Sequence, residues 1–413
     1  MGGRASAAKE YAAMAQRACR VRMRMCVVGV AACLVGGAVI AGDLNPPAGP
    51  VMPTMKTLDE VEPRIPLDPA DVPIVINQSG SYYLTGNFSA LIAGQDAITI
   101  NADDVTIDLR GFTIRNTEIG FFNNGVAIAS TAENVRVLNG TIIGCAESGV
   151  SGSGARGCAV INVRAMSCGD QGIILGNDAL IQGCTTLDNT LTGIFCGDNS
   201  TIENCVANNN QSGIRAASGS TVRGCAASDN TSVGILVSGN GVIAQCSATG
   251  NASTGISTGF AGTVTQCSAR DNTFDGINVG AGSLVERCTA YSNDRNGIGT
   301  STNCKVLECA ASSNAEHGIL VSSDALVTGN MCDGNGTAIT NGAGIAVSSS
   351  DTRVDGNHCT DNDIGFLATS TGNLFVRNST SGNPIPFSTV IGNEVGTIQA
   401  SPIGAGPWDN FNY

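Results

Sequence analysis

Thr221-Val222-Arg223-Gly224-Cys225-Ala226-Ala227-Ser228-Asp229-Asn230-Thr231-Ser232-Val233-Gly234-Ile235-Leu236-Val237 is one unit of a pattern that runs through most of this chain. Ile235 and Val237 alternate, so they share one face of a short strand, and Cys225 and Ala227 do the same on another. Val222 ends a third strand at the corner Arg223-Gly224, where glycine suits a left-handed backbone. Three short strands and tight corners within about 21 residues exclude a helical-hairpin repeat and predict one coil of a parallel β-helix.

Outward from this unit, a Gly followed by Val, Ile or Phe recurs at Gly125, Gly149, Gly172, Gly193, Gly213, Gly234, Gly255, Gly276, Gly297, Gly318, Gly344 and Gly365. Most steps are 21 residues, with 24 and 23 at the start, one of 20 and one of 26. Cys184, Cys205, Cys225, Cys246, Cys267, Cys288 and Cys309 recur in phase. So do Asn189, Asn209, Asn230, Asn251, Asn272, Asn293 and Asn314, four residues before the Gly. Three columns in one phase predict stacked coils about 4.8 Å apart, filled by Ile, Val, Cys and Ala, with an amide ladder inside one turn. A leucine-rich repeat would need a Leu signature that is absent, and a calcium-binding nonapeptide roll a different period. Parallel crossovers are right-handed, so the expectation is an all-β, right-handed parallel β-helix. Twelve Gly repeats and an irregular first turn give about 13 coils, roughly 60 Å long.

Proline marks the boundaries. Eight prolines lie between Pro46 and Pro73, four between Pro384 and Pro407, and none in between. A ladder of backbone hydrogen bonds requires such a gap, because proline cannot donate. Residues 43–73 read as an extended linker, 74–114 as an amino-terminal cap with the first strands, 115–383 as the repeats, and 384–413 as a tail packing on the last coil.

The 413 residues include 54 Gly, 17 Cys and only 17 aromatics, with 13% charged and a net charge of −13. Arg17, Arg20, Arg22 and Arg24 precede an apolar run from Cys26 to Ala41. That order predicts a signal peptide over residues 1–42 and a secreted, periplasmic or cell-surface location, with no membrane span in the mature form. Its removal leaves 15 basic against 33 acidic residues, a net charge of −18, which excludes a nucleic-acid partner.

Ser79-Gly80-Ser81-Tyr82-Tyr83-Leu84-Thr85-Gly86-Asn87 and Val105-Thr106-Ile107-Asp108-Leu109-Arg110-Gly111-Phe112-Thr113-Ile114, with the coil pattern, resemble bacterial exported β-helix repeat proteins of the pectate-lyase-like superfamily over about residues 74–383. The resemblance implies a role on carbohydrate, as polysaccharide lyase, hydrolase, epimerase or adhesin. The Arg-x-Pro-x-x-Arg, Gly-His-Gly and Asp-Pro-His-Asp signatures of its enzymes are absent from this chain.

Stacking turns the sequence into a surface map. Asp275, Asn296 and His317 fall in one column, Phe274, Arg295 and Glu316 in the next, with Asp294 and Tyr291 nearby. Asp275, Asp294, Arg295, Glu316 and His317 are therefore the candidate catalytic set, acting as acid and base on a sugar chain. The alternative for the same residues is a solvated turn with surface ion pairs. Asp361 and Asp363, with His358, are the candidates for a calcium ion, and no other cofactor is called for.

The ladder cysteines, in register on parallel strands, hold their Cβ atoms about 4.8 Å apart, too far for bridging, and read as a buried column of small apolar fillers. Cys145 and Cys168, in the Asn column's place at a turn, are the pair best placed to bridge. Two functions follow: a non-catalytic exported rod that binds polysaccharide or cell envelope or is structural, and a polysaccharide-active enzyme.

Overall fold

The structure, a computed structural model, describes residues 64–90, 94–116, 122–337 and 341–413. The expected signal peptide and most of the expected linker lie outside the described residues. Those described form strands and turns, with a single 3-10 turn at Pro69–Asp71. No helix among them is long and apolar enough to cross a membrane.

Each coil contributes three strands, such as Thr221–Arg223, Ala226–Ser228 and Ile235–Val237. These join three parallel ladders in strict register. Val222 lies between Ile202 and Ile243, Ala227 between Ala207 and Ala248, and Ile235 between Ile214 and Ile256. The inward columns are sorted by size. The first is Val or Ile (Ile202, Val222, Ile243, Val264), the second mostly Ala (Ala207, Ala227, Ala248, Ala269), the third Ile (Ile214, Ile235, Ile256, Ile277), all fully buried. Small facing large lets a narrow interior close without voids, and each buried Ile contributes about 1.5–3 kcal/mol.

Each coil turns at residues in the left-handed region, and the next side chain points inward. Asp188 (φ 56°), Asn209 (φ 53°) and Asp229 (φ 55°) precede Asn189, Asn210 and Asn230. The amide ladder therefore runs through Asn210 rather than Asn209, which is itself the corner residue. The coil is one residue short after Asn210, so counting back from Gly213 lands one position early. Along the ladder each Asn donates from N and Nδ2 to Oδ1 of the next coil. Asn251 does so to Asn272 at 3.1 and 2.9 Å. The ladder continues to Asn335, Asn362 and Asn383.

All fourteen described cysteines are buried and unbridged. The seven ladder cysteines do more than fill space. The N–H of Cys184 donates to Sγ of Cys205 at 3.4 Å, and Cys205 Sγ donates back to Ile181 O at 3.6 Å and Glu203 O at 3.2 Å. Thiols thus serve the corner before the second ladder as amides serve the next. The third corner uses hydroxyls, with Ala179 N donating to Ser200 Oγ and Ser200 N to Ser220 Oγ. Cys145 and Cys168 do stand in the Asn column, since Cys168 N donates to Asn189 Oδ1 at 3.0 Å, but they are free thiols.

Among the described residues the third ladder has fifteen strands, against about thirteen expected coils. Ile98–Ile100, in the segment expected as a cap with the first strands, pairs in register with Ile74–Ile76 on one side and Val126–Ile128 on the other. Ile385–Thr389, expected in the tail, pairs with Ile364–Ala368, and Phe387 stacks on Phe366 at 4.8 Å. The first ladder starts at Ile65–Leu67, which pairs with Tyr82–Leu84. Pro66 and Pro386 thus sit in strands. Among the described residues each of these strands is terminal in its ladder, where no further strand needs an N–H. The tail's Asn410–Asn412 pairs with Ser379-Thr380, and Asn410 Oδ1 accepts from Asn378 N at 2.9 Å.

Candidate functional site

The column before the repeat Gly lies at the entrance to the third ladder. Here Gly255 N donates to Asp275 O, Gly276 N to Asn296 O and Gly297 N to His317 O, so the backbone stacks these three residues one above another. Their side chains form a relay. Asp275 Oδ1 accepts from Asn296 N at 3.2 Å and Nδ2 at 3.0 Å, while its Oδ2 accepts from Asn278 Nδ2 at 2.7 Å. Asn296 Oδ1 accepts from His317 N at 3.3 Å. His317 Nδ1 accepts from Ala343 N at 3.0 Å.

Asp275 is only 6% exposed. Gly299 sits beside Asn278 in the ladder, and a Cβ there would stand 3.2 Å from Asp275 Oδ2 and 3.0 Å from Asn278 Nδ2. The missing side chain leaves room for the Asp275–Asn278 contact. Burial holds the His317 pKa below its ordinary value, against the opposing pull of Glu316. The neutral ring, protonated at Nε2, is the form that accepts from Ala343.

The other candidates make no hydrogen bond to this relay's side chains. Arg295 Nε lies 3.6 Å from Glu316 Oε1, with its guanidinium carbon 5.8 Å from the centre of the Phe274 ring. This is a half-exposed ion pair over an aromatic face. Asp294 is exposed; its backbone N–H donates to Asn272 O at 2.9 Å, and its carboxylate has no hydrogen-bond or ion-pair partner among the described residues. The stacking brings Asp275 and His317 together only through Asn296. It pairs Arg295 with Glu316 and leaves Asp294 apart.

The calcium candidates are likewise dispersed. Asp361 is a corner residue (φ 53°). Asp363 Oδ2 accepts from Gly342 N at 3.2 Å, and His358 Nδ1 meets Ser379 Oγ at 2.8 Å. Among the described residues no three His, Cys, Asp or Glu side chains converge on a point that could hold a metal ion.

The relay has a counterpart near the amino terminus. Asp96 Oδ1 accepts from Asn124 N at 3.0 Å and Nδ2 at 2.9 Å, its Oδ2 accepts from Thr99 Oγ1 at 3.5 Å, and Asn124 Oδ1 accepts from Ser148 N at 3.0 Å. Both relays start at an Asp with a polar side chain three residues on and an Asn in the next coil. That shared order, Asp96/Thr99/Asn124 and Asp275/Asn278/Asn296, keeps the three-residue step while the step to the Asn is one coil, 28 and 21 residues, and it is a signal in the sequence that clustered charge does not reveal.

The family described as "right handed beta helix region" matches residues 74–241 and 215–342. The chain belongs to the right-handed β-helix family. This β-helix has no match among curated proteins. It is similar to the A-module of the Azotobacter vinelandii mannuronan C-5 epimerase AlgE4, at 14% identity and a TM-score of 0.46, over 77% of this chain and 91% of that one. It is similar to the periplasmic alginate epimerase AlgG, at 13% identity and a TM-score of 0.45, over 81% and 78% of the two chains. It is also similar to the receptor-binding domain of the siphovirus 9NA tailspike, at 11% identity and a TM-score of 0.47, over 87% and 78%.

Proposed function

We propose that this β-helix is an exported, non-catalytic protein that binds carbohydrate or a cell-envelope polymer along its polar faces. The observation that carries this reading is the state of Asp275. Its two carboxylate oxygens are occupied by three amide hydrogen bonds and it is nearly buried, so it serves the coil rather than a substrate. A general acid or base must reach the proton it transfers. His317 spends Nδ1 on the backbone of Ala343, and Glu316 is matched by Arg295.

The outward columns support a binding surface. Thr201 and Thr221 are neighbours on the first ladder, as are Ser228 and Thr249 on the second. Short hydroxyl side chains in register offer alternating donors and acceptors to the hydroxyls of an extended glycan. Export rests on the basic and apolar order of residues 1–42.

The test is incubation of the mature protein with a panel of neutral and acidic polysaccharides, scored for retention and for new reducing ends or unsaturated products. Retention without products is the expected result. Products would restore the polysaccharide-active enzyme, with exposed Asp294 as the first residue to substitute. Neither retention nor products on any glycan would remove carbohydrate binding and leave a structural role.

A further inference from the structure

At the carboxy-terminal end, a recess of about 300 Å³ is lined by Arg353, Leu374, Val376, Glu394 and Trp408 among others. That volume is at the lower end of the range of about 300–1,000 Å³ usual for ligand pockets. Trp408 is the only tryptophan of the chain, and it is 54% exposed. The guanidinium carbons of Arg353 and Arg377 stand 5.9 and 5.6 Å from its ring centre.

These groups are held before any ligand arrives. Arg353 donates from Nε and Nη2 to Asp355 Oδ2 at 3.0 and 2.8 Å, and Arg377 donates from Nε to Oδ1 at 2.7 Å and from Nη2 to Oδ2. Arg377 and then Arg353 hold the Asp355 carboxyl below its usual range, against the opposing effect of burial. Trp408 is fixed through its neighbours. Asp409 Oδ2 accepts from Gly406 N at 2.8 Å and Gln399 Nε2 at 3.0 Å. Asn410 Nδ2 donates to Phe375 O at 3.0 Å and Gly396 O at 2.9 Å. A tail latch alone would be satisfied by burying the indole. Here the coil and tail are locked by Asp355, Asp409 and Asn410 while half the ring stays open to solvent.

We propose that this recess is a subsite for a neutral pyranose ring of a glycan chain. The indole face takes the C–H face of the sugar. Arg353 has Nη1 left to donate to a ring hydroxyl. The carboxylate of exposed Glu394, which has no partner among the described residues, accepts from a second hydroxyl. Leu374 and Val376 supply apolar wall. Glu394 also sets the charge preference. It repels a carboxylate-bearing ring, and Asp355 has already neutralised part of the arginine charge. The subsite rests on the carbohydrate-binding reading given above, and it places that binding at one end of the protein.

The lone indole makes the test direct. The mature protein is titrated with cello-, malto- and chitohexaose and with galacturonohexaose while Trp408 emission is followed. A saturable change is expected with at least one neutral hexaose and none with the acidic one. Glu394→Gln should weaken that titration at least fivefold. Trp408→Ala should lose retention on the matching polysaccharide and Trp408→Phe should keep most of it, with circular dichroism checking that both fold. A polysaccharide retained equally by wild type and Trp408→Ala, with silent emission, would overturn the subsite and leave carbohydrate binding standing. Preference for galacturonohexaose would overturn the neutral assignment. Absence of both retention and emission change on every glycan would remove subsite and reading together.

Discussion

The N–H of Cys309 donates to Oδ1 of Asn330 at 2.8 Å, and there the thiol column becomes an amide column. Cys288 N, one coil earlier, donates to Cys309 Sγ at 3.4 Å. Asn330, Asn357, Asn378 and Asn410 then continue the same corner. A thiol and an amide do one job at this position, accepting from the previous coil's backbone. They differ in strength, because sulfur is the weaker partner.

That difference is measurable. Asn330→Ala removes the acceptor for Cys309 N and the donations to Val306 O and Asn357 Oδ1. It should destabilise by about 2–4 kcal/mol, since buried partners are left unsatisfied. Cys288→Ala should cost less, about 1–2 kcal/mol, from a small cavity and weaker bonds. Denaturant titration of the two variants checks the order, and equal costs would show that the thiol is no mere weaker substitute.

Thiol chemistry should report the same interior. With residues 1–42 removed, fourteen cysteines remain, all buried and free. Burial pushes the Cys196 thiol up to about 12. Labelling at pH 8 should be slow in the native protein and reach fourteen in guanidinium without reductant. Cys145 and Cys168 should react first, because they line an open recess of about 510 Å³. A denatured count of twelve or fewer would demonstrate bridging.

One interior column carries a correctable defect. Val237, Thr258 and Val279 stack in register, and the buried Thr258 hydroxyl has no hydrogen-bond partner among the described residues. Thr258→Val keeps the shape and removes the stranded hydroxyl, so it should stabilise by about 1–2 kcal/mol. A loss of stability in thermal melts would mean that the hydroxyl is bonded after all.

His317 gives the fold a pH dependence. Its folded pKa is depressed by burial, so its contribution is full above its unfolded pKa of about 6.5 and is lost as pH falls from there towards the folded value. Protonation at Nδ1 would also end acceptance from Ala343 N. The facing charges are Glu316, which opposes the depression, Arg295 paired with Glu316, and Asp363, bound to Gly342 N. Wild type should lose more stability between pH 7 and 5 than His317→Asn. Parallel curves for the two proteins would falsify this assignment.

Much of the coil was legible in the sequence because strict register repeats its physics every turn. Ile235, Cys225 and Gly224 each announce a role that neighbouring coils repeat. Counting from the repeat Gly picks Asn209 instead of Asn210 because a shortened coil breaks that count, while the spacing from Cys205 still holds. The strands at the ends are less legible for a related reason. Pro66 and Pro386 look like boundaries, since proline is costly in any strand except one with an open side. The site was legible only as a column. That Asp275, Asn296 and His317 are adjacent follows from stacking. That Asp275 is saturated depends on Asn278 and on the missing side chain at Gly299, neither of which is charged.

Pro66 and Pro386 have a consequence for the protein among its own copies. A stack of parallel strands presents a template at each end, and identical chains could in principle continue it into a fibre. A proline in the first strand of one ladder and the last strand of another withholds a donor where such growth would begin. Each such proline works against one polypeptide extending the coil of another.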